Sequence, residues 1–248
     1  MRAFILAAVL MLSAAPVMAQ DQAAPAAPAD ATAAPADAAT PPAPPPPPAP
    51  PANPAMTGPQ IRIATSMGDI ILQLDAVRAP KSTANVLSYV RDKHYNGTIF
   101  YRVVKNFVIQ MGSWDAQGKP RFIHPGGVAF EGNNGLKNYR GAAALARGDA
   151  PTSASADFFI SLGDNPPLNQ NTDDTENRSG YAVFGQVVEG MDVVDRIAQV
   201  PTGGAGPMPG EAPITPVVIN KVSIVGEVEK PEPKKAAAKK PAAAPAKK

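Results

Sequence analysis

From residue 60 to residue 228 the chain returns again and again to short apolar runs, several of which alternate with polar positions. That is the period-two signature of strands with one buried face. Arg62 separates Ile61 from Ile63, and residues 69–75 resume the pattern after Met67-Gly68, so the two segments read as a hairpin. Further runs occupy 127–130, 141–146, 157–162, 181–188 and 217–225, with Gly, Asn or Pro clusters between them. Residues 100–112 hold two more. Phe100, Arg102 and Val104 are predicted to share one face of the first, and Tyr101 and Val103 the other. Lys105-Asn106 reads as a two-residue turn, after which 107–111 resumes the sheet.

Only two stretches carry helical spacing. Residues 80–93 begin with a proline and place Thr83, Val86, Leu87 and Val90 on one face. Residues 190–199 do the same with Met191, Val194 and Ala198, joined by Ile197. About eight strands and two separated helices predict a mostly β fold, a closed eight-stranded antiparallel barrel with helices over its ends. That architecture does not by itself select a function.

The ends of the chain read differently. Arg2, the ten apolar residues 3–12 and Val17-Met18-Ala19 form a secretory signal, with cleavage expected after Ala19. A span across a bilayer needs about 20 apolar residues, so no membrane anchor is expected once residues 1–19 are removed. Residues 20–59 are predicted to be a disordered linker. Its stretch 21–59 holds 14 prolines and 15 alanines, with Asp21, Asp30 and Asp37 as the only charges, too little apolar surface to offset ordering entropy. The proline run 41–51 should be polyproline II, serving as a stiff spacer or as a dock for a proline-recognition domain.

The tail 229–248 has seven lysines against Glu229 and Glu232, a net of +5, and is also predicted to be disordered. Residues 60–228 hold 15 Lys and Arg against 16 Asp and Glu, so the basic balance belongs to the tail. Behind a signal peptide, the tail points to anionic envelope polymers or lipid head groups, or to a solvated tail without a partner. Nothing supports a nucleic-acid surface. The chain has no cysteine, which excludes disulfides, thiol chemistry and lipid attachment at a cysteine. A periplasmic location and a monomer are expected.

Candidate chemistry begins with Arg102. A cation in an apolar strand needs a partner, because an unpaired buried charge is costly. The partner is either a carboxylate of the protein, such as Asp157, or something the protein binds. His94 and His124 stand far apart with no cysteine to join them, so neither a metal nor a cofactor is expected. The loop 169–177 is rich in Asp and Asn but lacks the Asp-x-Asp-x-Asp-Gly calcium pattern. Trp114 reads as loop packing.

Four segments together resemble the cyclophilins, the peptidyl-prolyl cis-trans isomerase family. Residues 100–112 match its Phe-His-Arg-Val-x-x-x-Phe-x-x-Gln-x-Gly run, with Tyr101 in place of the histidine. Arg140-Gly-Ala-Ala-Ala-Leu-Ala-Arg147, Ser155-Ala-Asp-Phe-Phe-Ile160, and Tyr181-Ala-Val-Phe-Gly185 followed by Gly190-Met-Asp-Val-Val194 are similar to later segments, in the family's order. The resemblance covers residues 60–228. It implies that Arg102 is the catalytic cation, that Phe107, Val108, Phe159, Leu168 and Tyr181 line a proline pocket, and that Gln110 bonds the substrate backbone. It further implies that the main chain of Ala146 and Arg147 pairs with a bound peptide.

Three departures stand out. Asp157 replaces a common glutamine and is expected to orient Arg102, directly or through Gln110. Tyr181 stands where many relatives have histidine. Pro167 precedes Leu168 where some relatives carry the tryptophan that binds cyclosporin. The expected function is an isomerase acting on X–Pro bonds of exported, incompletely folded chains. The alternative is a peptide-holding chaperone or scaffold with little catalysis, tethered by its basic tail.

Overall fold

The computed structural model describes residues 51–171, 173–175 and 179–227. The expected signal peptide, most of the linker and the tail 229–248 lie outside the described residues. Eight strands form the barrel: β1 (Gln60–Thr65), β2 (Gly68–Leu74), β3 (Thr98–Val104), β4 (Val108–Asp115), β5 (Ala142–Leu145), β6 (Phe158–Ser161), β7 (Val183–Glu189) and β8 (Val218–Ile224). They close in the order β1-β2-β7-β5-β6-β4-β3-β8, and each recorded pairing is antiparallel. Helix α1 (Pro80–Arg91) and helix α2 (Met191–Ala198) complete the expected set.

The alternation puts Ile61, Ile63, Ile70, Leu72 and Leu74 inside the barrel, fully buried, where they meet Phe158, Phe184 and Ile219 in one apolar core. Thr65 fixes the first hairpin: its hydroxyl donates to the Gly68 carbonyl at 2.7 Å and accepts the Met67 N–H at 3.0 Å. In α1 the predicted face of Thr83, Val86, Leu87 and Val90 is buried. No side chain of its own caps its start. Glu131 does so from a distant loop, accepting the N–H groups of Lys81 (3.0 Å) and Ser82 (2.8 Å). Val194, Ile197 and Ala198 of α2 join the same core. Among the described residues no helix is long and apolar enough to cross a membrane.

Four local expectations need correction. Residues 127–130 are not a strand. A Cβ at Gly127 would lie 1.4 Å from the Thr152 carbonyl oxygen, and a lone bond from Val128 N–H to Ala154 O (3.1 Å) replaces a ladder. The turn after β3 has three residues, 105–107, with Asn106 left-handed at φ 60°, so β4 begins at Val108 and not at Phe107.

The 100–104 run does not alternate as predicted. Phe100 pairs with Met111 and Arg102 with Gln110, so two steps of β3 oppose one step of β4, a bulge at Tyr101. Phe100 and Val103 therefore both face the core, while Tyr101 and Arg102 stand outside it. Finally, residues 53–59, expected in the linker, are docked. Asn53 exchanges two bonds with the Lys137 backbone (2.9 and 2.8 Å), and the carbonyls of Thr57 and Pro59 accept N–H groups of Ala76 and Leu74.

Candidate active site

A second, smaller apolar cluster lies apart from the barrel's inner core. Inward residues of β4, β5 and β6 (Ile109, Met111, Ala143, Leu145, Phe158, Ile160) belong to the main core. Their alternates Val108, Ala142, Ala144 and Phe159, with Val183 of β7, make the second cluster. Strand β6 is buried at all four residues because both of its faces are covered. Phe107, Ala146, Leu168 and Tyr181, each partly buried, pack against this cluster.

Register explains how the polar side chains arrive there. Arg102 pairs with Gln110, Gln110 with Phe159, and Phe159 with Ala144, a single row across β3, β4, β6 and β5. The bulge turns Arg102 out of the core and onto that row. Loops fix the walls. The Phe107 carbonyl accepts the Leu162 N–H (2.8 Å) and Asn165 Nδ2 (3.0 Å). Leu168 ends a short 3-10 turn, Pro166–Leu168, and its carbonyl accepts the Tyr181 N–H (3.0 Å) and Asn138 Nδ2 (2.9 Å). The Phe159 and Tyr181 rings meet edge to face, 5.3 Å apart.

The resulting cleft has a volume of about 180 Å³ and is lined by Arg102, Phe107, Val108, Gln110, Ala146, Arg147, Phe159, Leu168 and Tyr181. These nine are the residues that the resemblance implied for catalysis and substrate binding. The volume is several times the ~30 Å³ share of one water, enough for a five-membered ring. Phe159 is only 4% exposed, so its ring forms the floor. Arg147 stacks over Phe130 (4.9 Å) and reaches Tyr181 (5.7 Å) at one end, while Arg102 lies 5.9 Å from the Phe107 ring at the other.

The surroundings of Arg102 differ from expectation. Its ion-pair partner is Glu211: Nε meets Oε2 at 2.5 Å and Nη2 meets Oε1 at 3.5 Å. Both side chains keep contact with water, 21% and 37% exposed. Nη1 turns the other way, 3.4 Å from Gln110 Oε1. A guanidinium has five N–H donors, so three contacts leave two unassigned. Asp157 does not touch Arg102. Its carboxylate accepts the Ser113 N–H (2.9 Å) and hydroxyl (2.7 Å), and it interacts with the Tyr101 hydroxyl. Gln110 Nε2 in turn donates to the Tyr101 oxygen. The route from Asp157 to Arg102 therefore passes through Tyr101 as well as Gln110.

Burial pushes Asp157 above the usual carboxylate range, and the bonds from Ser113 and Tyr101 oppose that only in part. Burial, the Asp157 charge next, raises the Tyr101 hydroxyl far enough that it stays protonated. Gly112 makes room for this acid. Its φ is 144°, and a Cβ there would sit 2.5 Å from Asp157 Oδ1. The expected backbone role of Ala146 is also narrowed. Its N–H already donates to the Asp157 carbonyl (2.9 Å), which leaves its carbonyl for a peptide.

His94 and His124, distant in sequence, both pack on Tyr89 (4.8 and 4.2 Å), away from the cleft-lining set. Among the described residues no three metal-ligating side chains come together. Glu211 was missed by sequence reasoning. The signal available was its isolation as the only charged residue between Arg196 and Lys221.

Comparison with known proteins gives a family. The family model described as cyclophilin type peptidyl-prolyl cis-trans isomerase/CLD matches residues 60–224. A peptidyl-prolyl cis-trans isomerase of Streptomyces antibioticus is 45% identical over 168 residues, covering 67% of this chain and 98% of its own length. Peptidyl-prolyl cis-trans isomerase B of Escherichia coli is 42% identical over 160 residues, 64% of this chain and 96% of that protein. Among solved structures, a cyclophilin-type isomerase of Cryptosporidium parvum aligns with a TM-score of 0.56 at 25% identity, covering 68% of this chain and 99% of the other. A second structure of that protein, in the presence of the dipeptide Ala-Pro, gives the same values.

Proposed function

The chain belongs to the cyclophilin-type peptidyl-prolyl cis-trans isomerase family, and within that family we propose that it turns X–Pro bonds by aiming the Arg102 guanidinium at the prolyl nitrogen. It is an enzyme of this class, and its substrates are proline-containing polypeptides. The observation that carries the mechanism is the cleft: an aromatic floor, a permanently charged donor at one end, and Gln110 between them.

Resonance in the amide sets a barrier of ~18–20 kcal/mol. At the twisted midpoint that resonance is lost and the prolyl nitrogen gains a lone pair. A planar amide nitrogen accepts hydrogen bonds poorly, so a donor aimed there favours the transition state over both ground states. Arginine suits the task because it cannot act as a base and its fork is rigid.

Magnitude limits what the cation does alone. Taking the bond from ~100 s to ~1 ms requires about five decades, or roughly 7 kcal/mol. One charge-assisted hydrogen bond contributes about 1.5–3 kcal/mol. The remainder comes from seating the ring against Phe107, Phe159, Leu168 and Tyr181 while Gln110 and the Ala146 carbonyl hold the chain on one side.

A protease-coupled assay on Xaa-Pro peptides, with the wild type and Arg102→Ala, tests the mechanism. A large fall in kcat/KM with peptide binding little changed is expected; an unchanged kcat/KM overturns it. The substrates are exported chains in the periplasm, a reading supported by the signal sequence at 1–19 and the absence of cysteine. A mature N-terminus at Gln20 in a periplasmic fraction tests this. The tail 229–248 binds anionic envelope material by charge, which salt or deletion of that tail should abolish.

A further inference from the structure

We propose that Glu211 is a positioning residue of the isomerase, holding the Arg102 guanidinium by one edge so that the opposite edge faces the proline cleft. This rests on the isomerase reading of Arg102 and extends it to a loop that no part of the 100–112 segment predicts.

The loop is brought to the site by the sheet. Strand β3 pairs with β8 only at Thr98 and Ile99. Past that point its outer backbone groups would be orphaned, and an unpaired edge N–H must find another acceptor. Phe100 N–H donates to Val217 O (3.1 Å) and Val103 N–H to Glu211 O (2.8 Å). The Glu211 backbone is thus stitched beside Arg102, and its side chain pairs with the guanidinium. The loop is braced from behind: the Met208 carbonyl accepts the N–H groups of Glu211 (2.9 Å) and Ala212 (2.7 Å), and the Ala212 carbonyl accepts those of Gly203 and Gly204 (both 2.9 Å).

Contact at Nε and Nη2 is side-on, so it fixes rotation of the guanidinium plane as well as its place. Gln110, at 3.4 Å from Nη1, is too far to do this alone. Without Glu211 the fork can present any edge to the cleft. Isomerisation moves no proton and creates no net charge, so the carboxylate has no chemistry of its own to perform. Geometry of the donor is the whole contribution.

The test is a double-mutant cycle of Glu211→Ala and Arg102→Ala, with Glu211→Gln beside it. Turnover and KM are read from the peptide assay, and folding from thermal melts. In an otherwise wild-type chain, Glu211→Ala is expected to lower kcat about tenfold with KM within about twofold. Glu211→Gln retains most activity, because its amide oxygen still accepts from Nε. In the Arg102→Ala background Glu211→Ala changes nothing further. With isotope-labelled arginine, the Arg102 Nε–H signal, slow to exchange in the wild type, becomes fast in Glu211→Ala.

An equal fall of kcat in both backgrounds overturns the proposal, since it reports loop anchoring and not aim. An unchanged kcat in Glu211→Ala, with Arg102→Ala impaired, overturns it while leaving the catalytic arginine in place. If Arg102→Ala itself has no effect, the catalytic reading and the positioning role fall together, a result distinct from the other two.

Discussion

Arg102→Lys separates charge from shape. The guanidinium reaches Glu211 through Nε and Nη2 while Nη1 faces Gln110 and the cleft. Lysine keeps the charge but gathers its three donors on one nitrogen, which cannot sit on the carboxylate and over a prolyl nitrogen at once. Glu211, braced by its loop, is the stronger attractor, so the ammonium is drawn out of the cleft. The loss is then one charge-assisted bond to the transition state, about 1.5–3 kcal/mol. At 1.36 kcal/mol per decade, kcat/KM falls about 10- to 150-fold. Stability should hardly move, because the ion pair is part-exposed and survives in altered form, a change below about 1 kcal/mol, or ~2–4 °C in Tm. The peptide assay and a melt on the same preparation measure both quantities. Activity within threefold of wild type would show that positive charge alone suffices, and the argument from donor geometry would fail.

Gly112→Ala is expected to cost at least about 3 kcal/mol, or roughly 6–12 °C in Tm, because a φ of 144° and a contact 2.6 Å from the Asp157 Cα leave a Cβ no room. A melt within 2 °C of wild type (about 1 kcal/mol or less) would contradict the close approach. Asp157 makes stability depend on pH with a definite sign. Between 3.8 and its raised folded value, the native state holds a proton that the unfolded chain has released, so this group's contribution falls as pH rises through that window. Asp157→Asn should therefore gain on wild type from about pH 4 upward, then level off; denaturation series giving a pH-independent difference would refute the assignment. The position expected to carry a cyclosporin-binding tryptophan in some relatives holds Pro167, exposed on its 3-10 turn. Inhibition should be weak, and a nanomolar constant would contradict this.

How far the sequence was legible depended on the range of the forces involved. Ile61, Ile63, Ile70 and Leu72 announce their strands by alternation, and Val86, Leu87 and Val90 their helix by spacing, because each pattern is written within a few residues. The residues of the cleft were found by resemblance, each carried by a local segment. The bulge at Tyr101 was not legible: it is a mismatch in count between β3 and β4, and the pattern of one strand contains no record of its partner's length. Glu211 lies 109 residues from Arg102 and reaches it through an edge N–H that only the closed sheet defines. The same holds for Asp157. Its short-range appearance suggested a partner for the arginine, whereas Ser113, 44 residues back, supplies the bonds it needs.

A closed barrel also constrains how this family member can hold a peptide. An open sheet offers an edge strand, and an extended peptide can add to it through a ladder of backbone bonds. Here β1 to β8 leave no edge, and the one gap beside β3 is filled by the Glu211 loop. Under the proposed function, binding uses the outer face of β4 and β6, where Val108 and Phe159, with Phe107, Leu168 and Tyr181, line the cleft. Backbone contribution shrinks to loop positions such as the Ala146 carbonyl, since the Ala146 N–H is already taken. A peptide held there by one ring and a few polar contacts would be held loosely. Tight binding made equally to ground and transition states would lower KM without raising turnover. In the proposed mechanism the peptide gains no strand from the closed barrel, and the bond from Arg102 counts mainly when the amide is twisted.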